Sequence, residues 1–429
     1  MKIKKNKEYL YLAFDVYGSI IFSVKESNQT MVGRGEKALT RATLYAGIVI
    51  LLILFIIGAW YTYERYGETK PWAERAAFPW GILVPSYAFF ASSAAGAAII
   101  ASILLLYRPL SEQVVRIVRH MYVLVFGLLI PAWYIVFADL GRPDHGAWLL
   151  RGWHSSSRIA WMPVFYAVLA LPIAVILIHN VFGPRNKYTL LDKALAVAAI
   201  IGAIGLEINL GQVFGNAISL IGISSPSLGA VFLVAAIGLG ASWIPLITLP
   251  TILSMEEDET KSEFNKLLPY ITAAPIALVA VTLGIITAWW FSYGTVSEPT
   301  RLYLEEITSG HHALVFYGVE VLLGYVAAPI LAVIALIKRK SLAAIVAAIL
   351  FLVAGYAEKY GMIIGAQEAR LKALHLGSAI NPYYLLYGAR SYHVEAGDAA
   401  VIVGAFALGL LVYIGIELLL PRLLTTKSK

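Results

Sequence analysis

No cysteine occurs among the 429 residues. That excludes thiolate ligation of an iron–sulfur cluster, a disulfide and a cysteine nucleophile. If the chain takes part in redox chemistry, the metal centres lie on other chains. Charge is scarce as well. Only 14% of residues are Asp, Glu, Lys or Arg, 59% are hydrophobic, and mean hydropathy is +0.76. An ordinary soluble domain carries about 25% charged and about 45–50% apolar residues. A soluble Rossmann, TIM-barrel or nucleic-acid-binding fold is therefore excluded. The apolar residues run in continuous blocks rather than alternating, which excludes an outer-membrane barrel. An all-α integral membrane protein is left. Asn and Gln number only eight and four, a depletion associated with hot habitats.

The apolar blocks predict ten spans: Thr40–Tyr61, Ile82–Tyr107, Met121–Leu140, Ile159–Val181, Ala194–Ile221, Leu228–Leu249, Pro269–Tyr293, Val315–Ile337, Leu342–Tyr360 and Ala399–Leu420. An even number puts both termini on one side. That side holds 22 of the 33 Lys and Arg residues and the opposite side 11. The positive-inside rule then places both termini in the cytoplasm, with the chain in the cell membrane. The tail opens on Lys2, Lys4, Lys5 and Lys7. Its apolar stretch Tyr9–Val24 is short, is interrupted by Asp15 and lacks a small-x-small cleavage site, so it reads as an interfacial helix. The inner connections are short and basic. The outer segments Leu140–Arg158, Gly294–Leu314 and Gly361–Asp398 are long and rich in Trp, Tyr, His and acid, so a partner is expected on the outer face.

None of the eight histidines (His120, His145, His154, His179, His311, His312, His375, His393) falls at mid-membrane. A transmembrane haem needs axial histidines within the helices, so no haem is expected. His311 and His312 are too close in sequence to form a metal site alone, and no metal is expected. Glu207 is the deepest ionisable residue, near the middle of the fifth span among Gly202, Ala203, Gly205 and Gly211. Such groups are costly in a membrane and functional by default, so Glu207 suits a proton path or a buried network. On the same helix Asn209, Gln212 and Asn216 recur at i, i+3 and i+7, roughly opposite Glu207. This stripe reads either as interhelical hydrogen bonding or as the wall of a polar pocket. Asp139, Glu320 and Glu358 beside Lys359 lie toward the outer surface, whereas Glu417 can reach the inner interface. The outer half also collects Trp80, Tyr87, Trp133, Trp153, Trp161, Trp289, Trp290 and Tyr293. An interfacial belt explains most of them. Their coincidence with Asp139, Arg142 and the polar stripe suggests a site for an amphipathic, lipid-soluble ligand, and a quinone fits.

Four segments taken together resemble the polysulfide reductase membrane-subunit family (NrfD/PsrC-like), in its ten-helix form. They are FPWGILVPSYAFFASSAAGAA (Phe78–Ala98), DLGRPDH (Asp139–His145) followed by WHSSSRIAW (Trp153–Trp161), RLYLEEITSGHHALVFYG (Arg301–Gly318) and AGYAEKYGMIIGAQ (Ala354–Gln367). The resemblance implies two four-helix bundles flanked by the first and last helices. With the spans it divides the chain into a tail (1–39), a first flanking helix and loop (40–78), a quinone-binding bundle (79–222), a second bundle (223–367) and an outer loop with the last flanking helix (368–429). It implies a quinone, menaquinone or similar, bound in the outer half of the first bundle. It also implies electron exchange with an extrinsic iron–sulfur subunit joined to a molybdopterin catalytic subunit or a hydrogenase. Asp139 and Arg142 match the acid and the arginine of the family's corner, and Tyr87 falls near a polar quinone contact of some members. Where those members use Asn or His on that helix, this chain has neither. In the expected site Tyr87 donates to a quinone carbonyl, while Trp80, Trp133 and Trp161 form apolar walls. Gln212 and Asn216 add polar contacts, Asp139 exchanges protons beside Arg142, and Glu207 serves within the membrane. Two other readings compete: a secondary ion-coupled transporter and a purely structural anchor.

Overall fold

The computed structural model describes residues 31–67, 78–107, 112–140, 146, 151–182, 188–217, 219–254, 259–310, 312–377 and 392–425. The expected interfacial segment Tyr9–Val24 and Arg142 lie outside these. Among the described residues every regular element is a helix. In chain order they are α1 (Met31–Gly67), α2 (Leu83–Leu106), α3 (Glu112–Asp139), α4 (Arg158–Phe182), α5 (Leu190–Gly215), α6 (Leu228–Ser254), α7 (Glu259–Gly294) and a short α8 (Glu298–Thr308). Then comes α9, π-helical over Leu314–Ala327 and α-helical over Ala328–Lys338. Next, α10 (Ser341–Tyr360) runs through a π-helical turn, Gly361–Gly365, into α11 (Ala366–Gly377), and α12 spans Ala396–Thr425. Ten helices among the described residues are long and apolar enough to cross a membrane. The chain is an all-α integral membrane protein.

Helix α5 stops at Gly215 rather than reaching Ile221. Asn216 caps it, and the turns that follow use Gly222 at φ +81°, a left-handed backbone that favours glycine. At its other end Thr189 and Asp192 form a capping box, and His179 of α4 reaches the same Asp192 at 2.8 Å. The ninth span does not end at Tyr360, because Glu358, Lys359 and Gln367 are buried inside the protein and the helix continues through them. The outer segment Gly294–Leu314 likewise contains a helix, α8. In α9 the π-helical stretch gives way to α-helix at Pro329. A proline ring clashes with the carbonyl four residues back, and a wider preceding turn relieves that clash.

Helices α2, α3, α4 and α5 pack into one bundle, and α6, α7, α9 and α10 into a second. Helix α12 lies against α3, and α1 lies against α12, so both flanking helices attach to the first bundle. Apolar burial gives no drive between helices in lipid, so close approach has to come from small residues. The seam between the bundles is such a contact. Gly96 of α2 faces Gly240 of α6, and Gly211 of α5 faces Gly229 of α6, with backbone against backbone. Gly58 of α1 meets Gly404 of α12 in the same way. At the end of the molecule with the short connections, His120 of α3 hydrogen-bonds Glu417 of α12 at 2.8 Å, so Glu417 is tied inside the protein.

Candidate functional site

Glu207 is fully buried in the first bundle, 0% exposed. The Ser92 hydroxyl of α2 donates to its Oε2 at 2.7 Å, while Oε1 has no hydrogen bond within the protein. Beside it, the Tyr166 hydroxyl of α4 donates to the Tyr87 hydroxyl of α2 at 3.0 Å, and both phenols interact electrostatically with Glu207. Trp133 of α3 packs edge-on against Tyr166 with centroids 5.5 Å apart and is 38% exposed. Four helices thus bring Tyr87, Trp133 and Glu207 together, with Ser92 and Tyr166 completing the group. The Tyr166 proton is used on Tyr87, so the Tyr87 proton remains available to a ligand.

The other expected residues fall elsewhere. Trp161 stacks edge-on with Trp153 at 5.1 Å, and its indole N–H donates to the Ser155 carbonyl at 2.9 Å, bracing the entry to α4. Trp80 packs on Phe214 at 5.5 Å. Its N–H donates to Gln367 Oε1 at 3.1 Å and its carbonyl accepts from Gln367 Nε2 at 2.9 Å, a two-point clasp to α11. The polar stripe on α5 is tied to neighbouring backbone. Asn209 donates to the Arg158 carbonyl at 2.8 Å, Gln212 donates to the Pro226 carbonyl, and Asn216 is an exposed helix cap.

Asp139 sits at the end of the molecule that carries the long connections. Arg65 of α1 reaches it at 3.7 Å and also contacts Asp398 of α12. The Tyr392 hydroxyl accepts from the Ile82 N–H at 2.8 Å and donates to Asp398 at 3.3 Å. Burial pushes the Tyr392 phenol up, which keeps its proton in place for that bond. The Tyr392 N–H in turn donates to Glu368 at 2.6 Å, and Glu368 pairs with His312 at 2.9 Å. Polar contacts therefore cross this face from the first bundle to the second. Ligand-type atoms of Glu306, His312 and Glu368 lie within 4.8 Å of one another, and the Lys372 ammonium already rests on Glu306. Arg65→Met should lower the melting temperature of the purified protein, a loss of about 2 kcal/mol, because Asp398 would be left buried without its cation. An unchanged melt would remove the anchoring role.

In the second bundle Lys359 is fully buried, 3.7 Å from Glu358 and 3.8 Å from the centre of the Phe232 ring. Glu320 accepts a hydrogen bond from the Tyr325 hydroxyl at 2.9 Å. Sequence reasoning placed these acids in the membrane and missed that Lys359 is buried against the Phe232 ring of α6.

A comparison with curated proteins finds no match. Membrane helices in two bundles, a polar group inside the first and long connections at one end carry no family name by themselves. The family model described as polysulphide reductase, NrfD, matches residues 72–369, which take in both bundles and stop just inside α11, and the chain belongs to that family.

Proposed function

We propose that the chain is the quinone-reactive membrane subunit of a respiratory oxidoreductase complex. It would exchange electrons between membrane quinone and an extrinsic iron–sulfur subunit, itself joined to a molybdopterin catalytic subunit or a hydrogenase. Family membership supports the setting. The observation that carries the reading is the group Tyr87, Tyr166, Ser92 and Glu207 beside the partly exposed Trp133. A quinone supplies two-electron chemistry that also consumes or releases protons. The residues fit such a ligand: an aromatic wall, a phenol with a free proton and a carboxyl with one unused oxygen. Tyr87 donates to a carbonyl oxygen and fixes the ring. Glu207 holds or moves a proton at Oε1, steadied by Ser92 at Oε2. Asp139, whose side chain is 24% exposed beside Arg65, exchanges protons with water. In this reading the face with the long connections is outside, both termini are cytoplasmic, and the iron–sulfur partner covers the long connections.

Tyr87→Phe tests the site. With the assembled complex, KM for quinol should rise about tenfold, the value of one lost hydrogen bond, with kcat little changed. Tyr166→Phe should move KM less. Unchanged KM and quinone retention in Tyr87→Phe would take the ligand away from this group. A chain that transports an ion alone in liposomes, with no quinone or iron–sulfur partner on purification, would favour the transporter instead.

A further inference from the structure

The face with the long connections holds a buried cluster that the quinone site does not use. Glu306 lies in the last turn of α8, His312 just ahead of α9, and Glu368 in the first turn of α11. They are 4%, 2% and 0% exposed. In the sequence His312 has only His311 beside it; packing brings it a carboxyl from each of two helices. The backbone is irregular next to the cluster. Gly310, at φ +56°, precedes His312, and the π-helical turn Gly361–Gly365 leads into α11. Turns of the second kind concentrate at functional sites.

One nitrogen or oxygen from each of the three residues lies within 4.8 Å of the others, and His312 Nε2 is 2.9 Å from Glu368 Oε2. A zinc ion about 2.0–2.2 Å from each of its ligands holds those ligands about 3.3 Å apart, between these two distances. Glu368 is already oriented for such a role. The Tyr392 N–H donates to its Oε1 at 2.6 Å, and its Oε2 meets His312. Outer hydrogen bonds of this kind fix the ligands of a metal. Charge points the same way. The Lys372 ammonium contacts Glu306 Oε2 from a side chain that is 53% exposed, and that oxygen takes no hydrogen bond within the protein. A buried carboxylate so weakly compensated is costly.

We propose that Glu306, His312 and Glu368 form a site for a divalent transition metal of the zinc class, and that Lys372 is the counter-charge which the metal displaces. One imidazole nitrogen with two carboxylate oxygens suits zinc, whereas calcium and magnesium take oxygen ligands. Three protein ligands leave the fourth position of a tetrahedral ion to water. The half-exposed Lys372 marks the way in from solvent. His312 Nε2 and both carboxyls have to be free of protons to coordinate, so binding weakens as pH falls through the histidine range. The ion would tie α8, the start of α9 and α11 together. The site stands apart from the quinone reading.

The full chain in lipid nanodiscs, stripped with a chelator and titrated with zinc alone, tests this, with cobalt as a spectroscopic probe. One ion per chain should bind and raise the melting temperature. Cobalt should show the strong visible absorption of a tetrahedral ion. Glu306→Gln and His312→Gln should each weaken binding about 100-fold. Lys372→Met should tighten it about tenfold, because the competing ammonium is gone. That variant alters only a half-exposed side chain, so it keeps the test decisive if a ligand variant misfolds. Zinc that binds equally well to folded Glu306→Gln, or no better to Lys372→Met, is held by histidines elsewhere, and the proposal falls. It falls too if the unsubstituted chain binds no zinc, which leaves an ion-pair cluster of these residues. Neither result touches the quinone reading, and failure of the Tyr87 test would leave this site standing.

Discussion

Replacing Glu207 by glutamine is expected to slow quinol turnover of the assembled complex about 100-fold, the usual loss for a removed acid–base group. The amide keeps the volume of the side chain and still accepts from Ser92, whose hydroxyl lies 2.7 Å from Oε2. It cannot take or give the proton that the free oxygen is placed to handle. Assembly should survive, since a neutral amide is less costly to bury than a carboxylate. The loss should fall on kcat, with KM nearly unchanged, because Tyr87 and the Trp133 wall still hold the ligand. Steady-state rates on complexes of matched quinone content measure this. Normal turnover together with normal assembly would reduce Glu207 to a packing role.

The fold is legible in the sequence because a bilayer demands long apolar helices, and ten such blocks stand out from scarce charge. Where boundaries differ, the cause is local. Gly215 and Asn216 end α5 within an apolar run, and buried partners let the ninth span continue through Glu358 and Lys359. The site is legible in part. Glu207 stands out as a lone acid among small residues. Tyr166 does not, because one tyrosine in an apolar helix gives no sign of which neighbour its hydroxyl meets. The stripe of Asn209, Gln212 and Asn216 is visible from helical periodicity. That Asn209 and Gln212 meet the carbonyls of Arg158 and Pro226 depends on packing that periodicity does not encode. That Lys359 rests on the Phe232 ring depends on how α10 packs on α6. The transporter reading asks for broken helices at matching places in the two halves. Both π-helical stretches among the described residues lie on the second-bundle side, in α9 and just after α10, so they are not such a pair.

The docking of the bundles supplies the other large effect. Gly96→Val is expected to remove most of the folded protein. A Cβ on Gly96 would overlap the backbone carbonyl of Ala236, and a Cβ on Gly240 would overlap the backbone of Gly96. Neither obstacle is a flexible side chain that can turn aside, so α2 and α6 have to separate. Helix α2 is the most buried of the spans, 78% of its apolar window lying inside the protein, so no lipid-facing slack exists to absorb the shift. Overpacking in a well-packed core costs about 1–3 kcal/mol, and more where backbone is the obstacle. Separation would also break contacts along the whole crossing, because helices in lipid hold together by that close packing. A loss of about 4 kcal/mol is then a large share of a total stability of roughly 5–15 kcal/mol. Gly47→Val and Gly415→Val are the controls, since nothing lies within 4 Å of a Cβ at either position. Yield and melting temperature of detergent-purified protein measure the difference. If Gly96→Val melts with Gly415→Val, the seam is not the tight crossing described.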